Sequence, residues 1–226
     1  MYFDFHLHSH YSKDSILSPS KIIKKSLNNG LSGVAVTDHN TIKGAIKTRD
    51  MSPDNFFVIV GSEIMTEKCE LIGIFLNEEI PPGNFFDVMD KIRDQDGISI
   101  LPHPYKGNAV DPISVINYID LVEGLNARID CHLNEKAKSL AKVYNKRIVA
   151  GTDSHTPFEI GNVKNKITLD SLDEESIRKK IKCGDICIVG NEAPFYIQTL
   201  SKGVGRFKKS GIKGLSTSLC KKIKSW

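Results

Sequence analysis

The sequence predicts an α/β fold, a closed or distorted TIM-like barrel of about seven strands with helices packed outside it. Short β-branched apolar runs alternate with segments of helical periodicity along the chain, which is the pattern of a βα repeat. The runs are nearly continuous in apolar residues, as strands of a parallel sheet covered on both faces require. Several of them end in His, Asp or Glu, and in closed βα barrels the C-terminal strand ends share one site.

The first strand is the histidine-rich stretch Asp4 to His10, with Tyr2, Phe3, Phe5 and Leu7 as its apolar members, followed by the helix-start signal Ser18-Pro19-Ser20 and a helix over Lys21 to Asn29, which Gly30 ends. Gly33-Val34-Ala35-Val36 forms the second strand and runs into Thr37-Asp38-His39-Asn40, after which a helix of about ten residues starts at Thr41. Phe57 to Gly61 is the third strand and delivers Ser62-Glu63; Leu71 to Leu76 is the fourth, with no obvious helix between them. Asn84 caps a helix through about Asp96. The fifth strand, Ile98 to Leu101, feeds Pro102-His103-Pro104, where two prolines favour extended backbone around the histidine. Asp120 to Leu125 is the sixth strand and leads to Asn126-Ala127-Arg128; residues 133 to 146 are an amphipathic helix; Arg147 to Gly151 is the seventh strand and ends in Thr152-Asp153-Ser154-His155. Ile167 to Leu169, a helix over about Asp173 to Lys182 and Asp185 to Ile188 complete the body.

A chain of 226 residues with 40% hydrophobic and 26% charged residues suits one soluble domain with a sizeable core, here residues 1–192, followed by a tail over 193–226. No apolar run approaches the roughly eighteen residues of a membrane span, and the N-terminus lacks a basic segment followed by an apolar stretch. A cytoplasmic location is expected. The five cysteines, Cys69, Cys131, Cys183, Cys187 and Cys220, are scattered without a Cys-x-x-Cys pair and are expected to stay reduced. The net charge of +4 is uneven: residues 201–226 hold eight Lys or Arg and no acid, which leaves 23 basic against 27 acidic groups, or −4, in residues 1–200. The Gly-interrupted stretch 201 to 213 reads as mobile or loosely attached. Beyond Gly214, Leu215, Leu219, Ile223 and Trp226 describe a short amphipathic basic helix, suited either to docking on the barrel or to an anionic membrane surface, a partner protein or a polyanion.

Three of the seven histidines fall in Asp4-Phe5-His6-Leu7-His8-Ser9-His10. On a strand, His6 and His8 share a face with their Cα atoms about 7 Å apart, and together they can ligate a metal if other elements complete the coordination; the alternative is a pair of hydrogen-bonded core histidines. The later strand ends weigh for the metal, because His39, Glu63, His103, Asp153 and His155 stand at the same end of the barrel. Histidine and carboxylate donors without cysteine suit Zn, Mn or Fe in a hydrolytic site, and they are too numerous for one ion. Two or three divalent ions are implied, which would polarise a phosphoryl oxygen and activate water as the nucleophile.

With these motifs in order, His6-Leu7-His8-Ser9, Ser12-Lys13-Asp14-Ser15, Thr37-Asp38-His39-Asn40, Gly61-Ser62-Glu63-Ile64, Pro102-His103-Pro104 and Gly151-Thr152-Asp153-Ser154-His155, the chain resembles the PHP (polymerase and histidinol phosphatase) family of metal-dependent phosphoesterases over roughly residues 2–192. The resemblance implies a distorted (β/α)7 barrel. It also implies one metal on His6, His8, Glu63 and Asp153, another on Asp14, His39 and His155, and a third on Glu63 with His103. Where many members have a histidine before the fourth strand, this chain has Cys69-Glu70, so that Glu70 replaces the imidazole or the third site is weak or vacant. Asn126 and Arg128 are candidate substrate-binding residues, Arg128 by bidentate contact with a phosphate, and the resemblance adds Asn134 to that polar cluster. Asp38 reads as an orienting partner of His39, while His10 and His132 read as structural or exposed. The expected function is hydrolysis of a small-molecule phosphomonoester or phosphodiester. The alternatives are an amidohydrolase, whose barrels also begin with His-x-His, and a non-catalytic metal-binding regulatory module. No dinucleotide fingerprint, phosphate loop or serine nucleophile elbow is present.

Overall fold

The computed structural model of the chain describes residues 1–194, 197, 199, 201, 203, 204 and 208; the amphipathic helix expected beyond Gly214 lies outside the described residues. In chain order the elements are β1 (Tyr2–Leu7), α1 (Pro19–Asn28), β2 (Gly33–His39), α2 (Lys43–Arg49), β3 (Phe57–Met65), β4 (Glu70–Ile74), α3 (Phe85–Asp94), β5 (Ile98–Leu101), β6 (Leu121–Asn126), α4 (Cys131–Val143), β7 (Arg147–Gly151), β8 (Val163–Lys166), α5 (Glu174–Cys183) and β9 (Cys187–Gly190). The strands form one sheet in the order β7-β6-β5-β4-β3-β2-β1-β8-β9.

Helix starts follow the cap residues. Ser18 accepts from the Lys21 amide with Pro19 in the first turn, Asn84 accepts from Phe86, and Asp173 accepts from Ser176; a cap of this kind is worth about 1 kcal/mol. Strand positions in phase with His39, Glu63 and Glu123 turn their apolar members into one cluster, Ala35, Ile59, Ile72, Ile98, Ile100 and Leu121 among them, which also takes in Phe3, Phe5 and Ile177 and Ile181 of α5. The alternate positions, Val34, Val36, Val58, Val60, Leu71, Leu101 and Val122, pack with Ile22, Ala45, Val88 and Leu140 of the outer helices. Arg147, at the start of β7, donates to the carbonyls of Lys180, Ile181 and Gly184, which fixes the C-terminal end of α5 beside the start of that strand.

The sheet departs from the expected parallel barrel in two ways. First, β4 is antiparallel to both β3 and β5. The connection between β3 and β4 is only residues 66–69, closed by Thr66 Oγ1 donating to the Cys69 carbonyl, and so short a link can join only antiparallel neighbours. Second, β7 and β1 meet without a regular ladder, joined by an isolated parallel bridge between Leu7 and Ser154. At the C-terminal end of that seam the Asp153 amide donates to the His6 carbonyl at 2.7 Å and the His8 amide to the Ser154 carbonyl at 3.0 Å. Lower down, the buried Asn165 side chain of β8 takes the place of a strand partner: its Oδ1 accepts from the Ala150 amide at 2.8 Å, and its Nδ2 donates to the carbonyls of Phe3 at 3.1 Å and Ala150 at 2.7 Å. The result is a nearly closed, distorted barrel with β8 and β9 added antiparallel beyond β1. The strand before α5 is Val163–Lys166, just ahead of the run Ile167 to Leu169.

His103 is not extended. Its φ is +27°, a sparsely populated value for any side chain and an unexpected one before proline. The carboxylate of Glu123 accepts its amide at 2.8 Å, and this buried bond outweighs the preference set by the two prolines. Within the stretch expected to be loosely attached, Ser201 is buried and Lys208 donates to three carbonyls of the loop after β1. Among the described residues no helix is long and apolar enough to cross a membrane.

Candidate metal centre

The strand ends bring Glu63 to the centre of the cluster. Its Oε1 lies 3.1 Å from His103 Nε2 and 3.6 Å from His6 Nε2; its Oε2 lies 3.0 Å from His39 Nδ1 and 3.4 Å from His8 Nε2. Asp153, with φ +51°, points Oδ1 at His8 Nε2 at 3.4 Å and His6 Nε2 at 3.9 Å. The ring nitrogens of His6 and His8 are 3.1 Å apart. On the outer side, Asp14 Oδ1 stands 3.5 Å from His155 Nε2 and 3.7 Å from His39 Nε2. Thus all eight residues expected as ligands, from six places in the chain, converge on one cluster.

Four groupings bring ligand atoms within 4.8 Å of one another: His6 with His8 and Asp153, His6 with Glu63 and His103, His8 with His39 and His155, and His39 with Glu63 and Glu70. Glu70 Oε2 is also 3.6 Å from His103 Nε2, so the carboxylate standing where a histidine is usual reaches the cluster. The adjacent Cys69 does not compete with it, because burial pushes its thiol up to about 12.

Ionisation favours cation binding at the two carboxylates and at His8. Burial raises the Glu63 carboxyl, but His6, His103 and His39 outweigh that and hold it well below its ordinary value. Burial likewise opposes charge on Asp153, yet Arg128, Lys106 and His6 hold its carboxyl well below normal. His8 is pushed well below its ordinary value by burial and by His155 and His39, leaving neutral nitrogens. Burial also works against protonation of His6, but Glu123, Glu63 and Asp153 prevail and raise it; for His39, hydrogen bonds to Asp14 and Glu63 overcome burial and raise it to about 10. Binding a divalent ion at these imidazoles would require them to give up their protons. A buried set of nitrogens and carboxylate oxygens without thiolate fits hard or borderline divalent ions.

Around this set lies a layer that the sequence only partly revealed. Glu123 of β6 is fully buried; its Oε1 takes His6 Nδ1 at 2.9 Å, and its Oε2 accepts from the His103 amide and from Asn126 Nδ2 at 3.0 Å. It therefore fixes the His6 tautomer so that Nε2 faces the cluster. Gly151 permits this approach, since a Cβ there would lie 2.3 Å from both Glu123 Oε1 and His6 Cβ. Asp38 is an orienting group: it accepts from Ser9 and from the Ser12 hydroxyl at 2.6 Å, and Ser12 Oγ in turn accepts from the His39 amide at 3.1 Å and lies 3.3 Å from His8 Nδ1. Gly44 of α2 makes room for it, because a Cβ would fall 2.0 Å from Asp38 Oδ2.

Arg128 is nearly buried and donates to the Asp153 carbonyl at 3.2 Å, with His155 Nδ1 against the same Nη1; its Nε lies 3.4 Å from Glu159 Oε1. Asn126 Oδ1 accepts from the Arg128 amide at 2.8 Å, and Asn134 bonds the Asn126 backbone through both amide atoms. Glu159, completely buried, clamps the turn after β7 by accepting from the amides of His155 and Thr156, each at 2.9 Å. His10 stacks on Tyr11 outside the cluster, and His132 is 63% exposed beside Asp130; neither joins the site. A cleft of about 360 Å³ opens beside the cluster, with Tyr11, Lys13, Asp14, His39, Met65 and Glu70 on its walls.

Comparison with known proteins agrees with this architecture. The protein MJ1587 of Methanocaldococcus jannaschii is 41% identical over 114 residues, covering 45% of this chain and 67% of its own. MJ0417 of the same organism is 32% identical over 176 residues, covering 73% and 70%. The fold is shared with a two-domain protein of Bacteroides vulgatus that contains a predicted PHP-like metal-dependent phosphoesterase, at a TM-score of 0.71 and 15% identity; the match covers 84% of this chain and 65% of that one. Residues 132–186, from α4 through α5, match the PHP-associated family model. The two relatives, at 41% and 32% identity and matched over 67% and 70% of their own length, together with the PHP-associated match, place the chain: it belongs to the PHP family.

Proposed function

We propose that the chain is a metal-dependent phosphoesterase that hydrolyses a phosphomonoester or phosphodiester. The observation that carries this reading is Glu63, whose two oxygens each face two imidazoles from different parts of the chain; that is the arrangement of a carboxylate able to bridge adjacent cations. His6, His8, Glu63 and Asp153 would hold one ion, Asp14, His39 and His155 a second, and Glu63, His103 and Glu70 a third. Bound there, divalent ions supply Lewis acidity toward a phosphoryl oxygen and lower the pKa of water. Mn, Zn and Fe all suit the donors.

The chain's own residues do the rest. Glu123 keeps the His6 Nε2 lone pair toward the cluster, and Asp38 holds the loop that carries His8 in register with His39 at the end of β2. Arg128, fixed through Asn126, Asp153 and Glu159, brings a cation to the edge of the site and is the proposed phosphate-facing group; Lys106, 3.7 Å from Asp153, adds a second positive charge. The cleft volume suits a small substrate or the end of a larger one. Eight basic residues without an acid after residue 200 suit a polyanion or an anionic surface as a further partner.

The test is a panel of phosphomonoesters and phosphodiesters assayed with added Mn²⁺, Zn²⁺ or Fe²⁺, comparing wild type with His39→Ala and Asp153→Asn. Turnover that requires metal and vanishes in both variants supports the reading, and turnover equal in wild type and variants rejects it.

A further inference from the structure

We infer that Lys208 and Ser201 are positioning residues of the metal centre, through which the C-terminal segment holds Asp14 and His155 in place. This rests on the proposed reading of those two residues as ligands. The loop after β1 turns the carbonyls of His10, Ser12 and Ser15 toward one point, and the Lys208 ammonium fills it, at 2.9 Å from the first two and in contact with the third. An ammonium offers three N–H donors to these three acceptors, and its charge offsets the mutual repulsion of converging carbonyl dipoles. The same loop carries Asp14, and its inner side is fastened where Ser15 Oγ donates to the His8 carbonyl at 2.7 Å and lies 3.2 Å from the His155 carbonyl. Lys208 thus fixes the outer side of a loop whose inner side touches the histidines.

Ser201 acts on the opposite member of the pair. Its buried hydroxyl donates at 2.9 Å to Glu159 Oε2, the oxygen that accepts the His155 and Thr156 amides, while Glu159 Oε1 faces Arg128. Ala193, whose amide donates to the Ala127 carbonyl at 2.7 Å, starts the segment beside Arg128. Asp14 and His155, whose side chains are 3.5 Å apart, are therefore each steadied by residues of a stretch that composition alone would call mobile or loosely attached.

The experiment is Mn²⁺ titration of the full chain by calorimetry for wild type, Lys208→Met, Lys208→Arg and Ser201→Ala, together with melting of the metal-free proteins. Lys208→Met keeps the length of the side chain and removes its donors. Loss of a contact that orients a ligand lowers metal affinity by about 10-fold to 100-fold; that loss is expected at one class of sites in Lys208→Met, smaller in Ser201→Ala, and partly reversed by Lys208→Arg or by added methylammonium, which can refill the carbonyl cage. Mn²⁺ binding by Lys208→Met equal to wild type overturns the inference and leaves the metal centre standing. So does a loss accompanied by an equal drop in metal-free stability with no rescue, since Lys208 would then act only on folding. Wild type that binds no Mn²⁺ overturns the metal centre and this inference with it.

Discussion

Glu123→Gln removes one charge and almost no volume, and the surroundings of Glu123 make its effect calculable. Every polar neighbour of this carboxylate is a donor: His6 Nδ1 at 2.9 Å, the His103 amide at 2.8 Å and Asn126 Nδ2 at 3.0 Å. A glutamine must turn its NH₂ toward one side. Facing His103 and Asn126, it sets donor against donor in a fully buried place, at a cost of about 1–3 kcal/mol for the unsatisfied groups. Facing His6, it needs Nδ1 as an acceptor, which moves the imidazole proton to Nε2, the nitrogen aimed at His8, Glu63 and Asp153. Either choice weakens the site. Metal affinity should fall by about 10-fold to 100-fold, equivalent to about 1.4–2.7 kcal/mol. Calorimetric titration of metal-free protein with Mn²⁺ or Zn²⁺ reads the loss, and circular dichroism checks that the barrel remains. Unchanged affinity in a folded variant would refute the argument that Glu123 sets the His6 tautomer.

Gly151→Ala should do similar damage by steric means, because its Cβ would meet Glu123 Oε1 and His6 Cβ at 2.3 Å; a variant with native melting temperature and metal content would contradict the close approach. Glu70→Gln should lower metal stoichiometry while Glu70→His preserves it, as read by elemental analysis; indifference to both changes removes Glu70 from the cluster. Burial, opposed by hydrogen bonds from Thr152 and His6, raises the Asp4 carboxyl from 3.8 to about 7. The folded state therefore binds this proton more tightly than the unfolded chain, so its contribution is full below about pH 4 and is lost as pH rises through 7, by about 4 kcal/mol if Asp4 acts alone. Urea unfolding of metal-free protein across pH 4 to 8 should show that fall in wild type and a flatter profile in Asp4→Asn; parallel profiles would place the titration elsewhere.

The part of the site at strand ends was legible because its chemistry is local. His6 and His8 share a strand face by parity, and His39, Glu63, His103 and Asp153 each follow an apolar run, so a barrel of any detailed shape would gather them. Glu123 was harder to see: it sits inside β6, and its one signal was an acid within the otherwise apolar run Leu121-Val122-Glu123-Gly124-Leu125. Glu159 carried no signal, since its partners are the amides of a turn and an arginine 31 positions earlier. The reversal of β4 was implicit in the missing helix between β3 and β4, whereas the left-handed backbone of His103 contradicts what its prolines favour because a buried carboxylate from another strand holds it. The attachment of Lys208 escaped a reading based on apolar content, because an ammonium docks on backbone carbonyls without burying apolar surface.

Binding of divalent cations by the convergent histidines and carboxylates is read from the metal content of protein dialysed against Mn²⁺ or Zn²⁺ and then passed through a desalting column. At least two ions per chain are predicted for wild type, with a marked loss in His6→Ala and Asp153→Asn. Wild-type protein that retains no metal, or variants that retain as much as wild type, would contradict it.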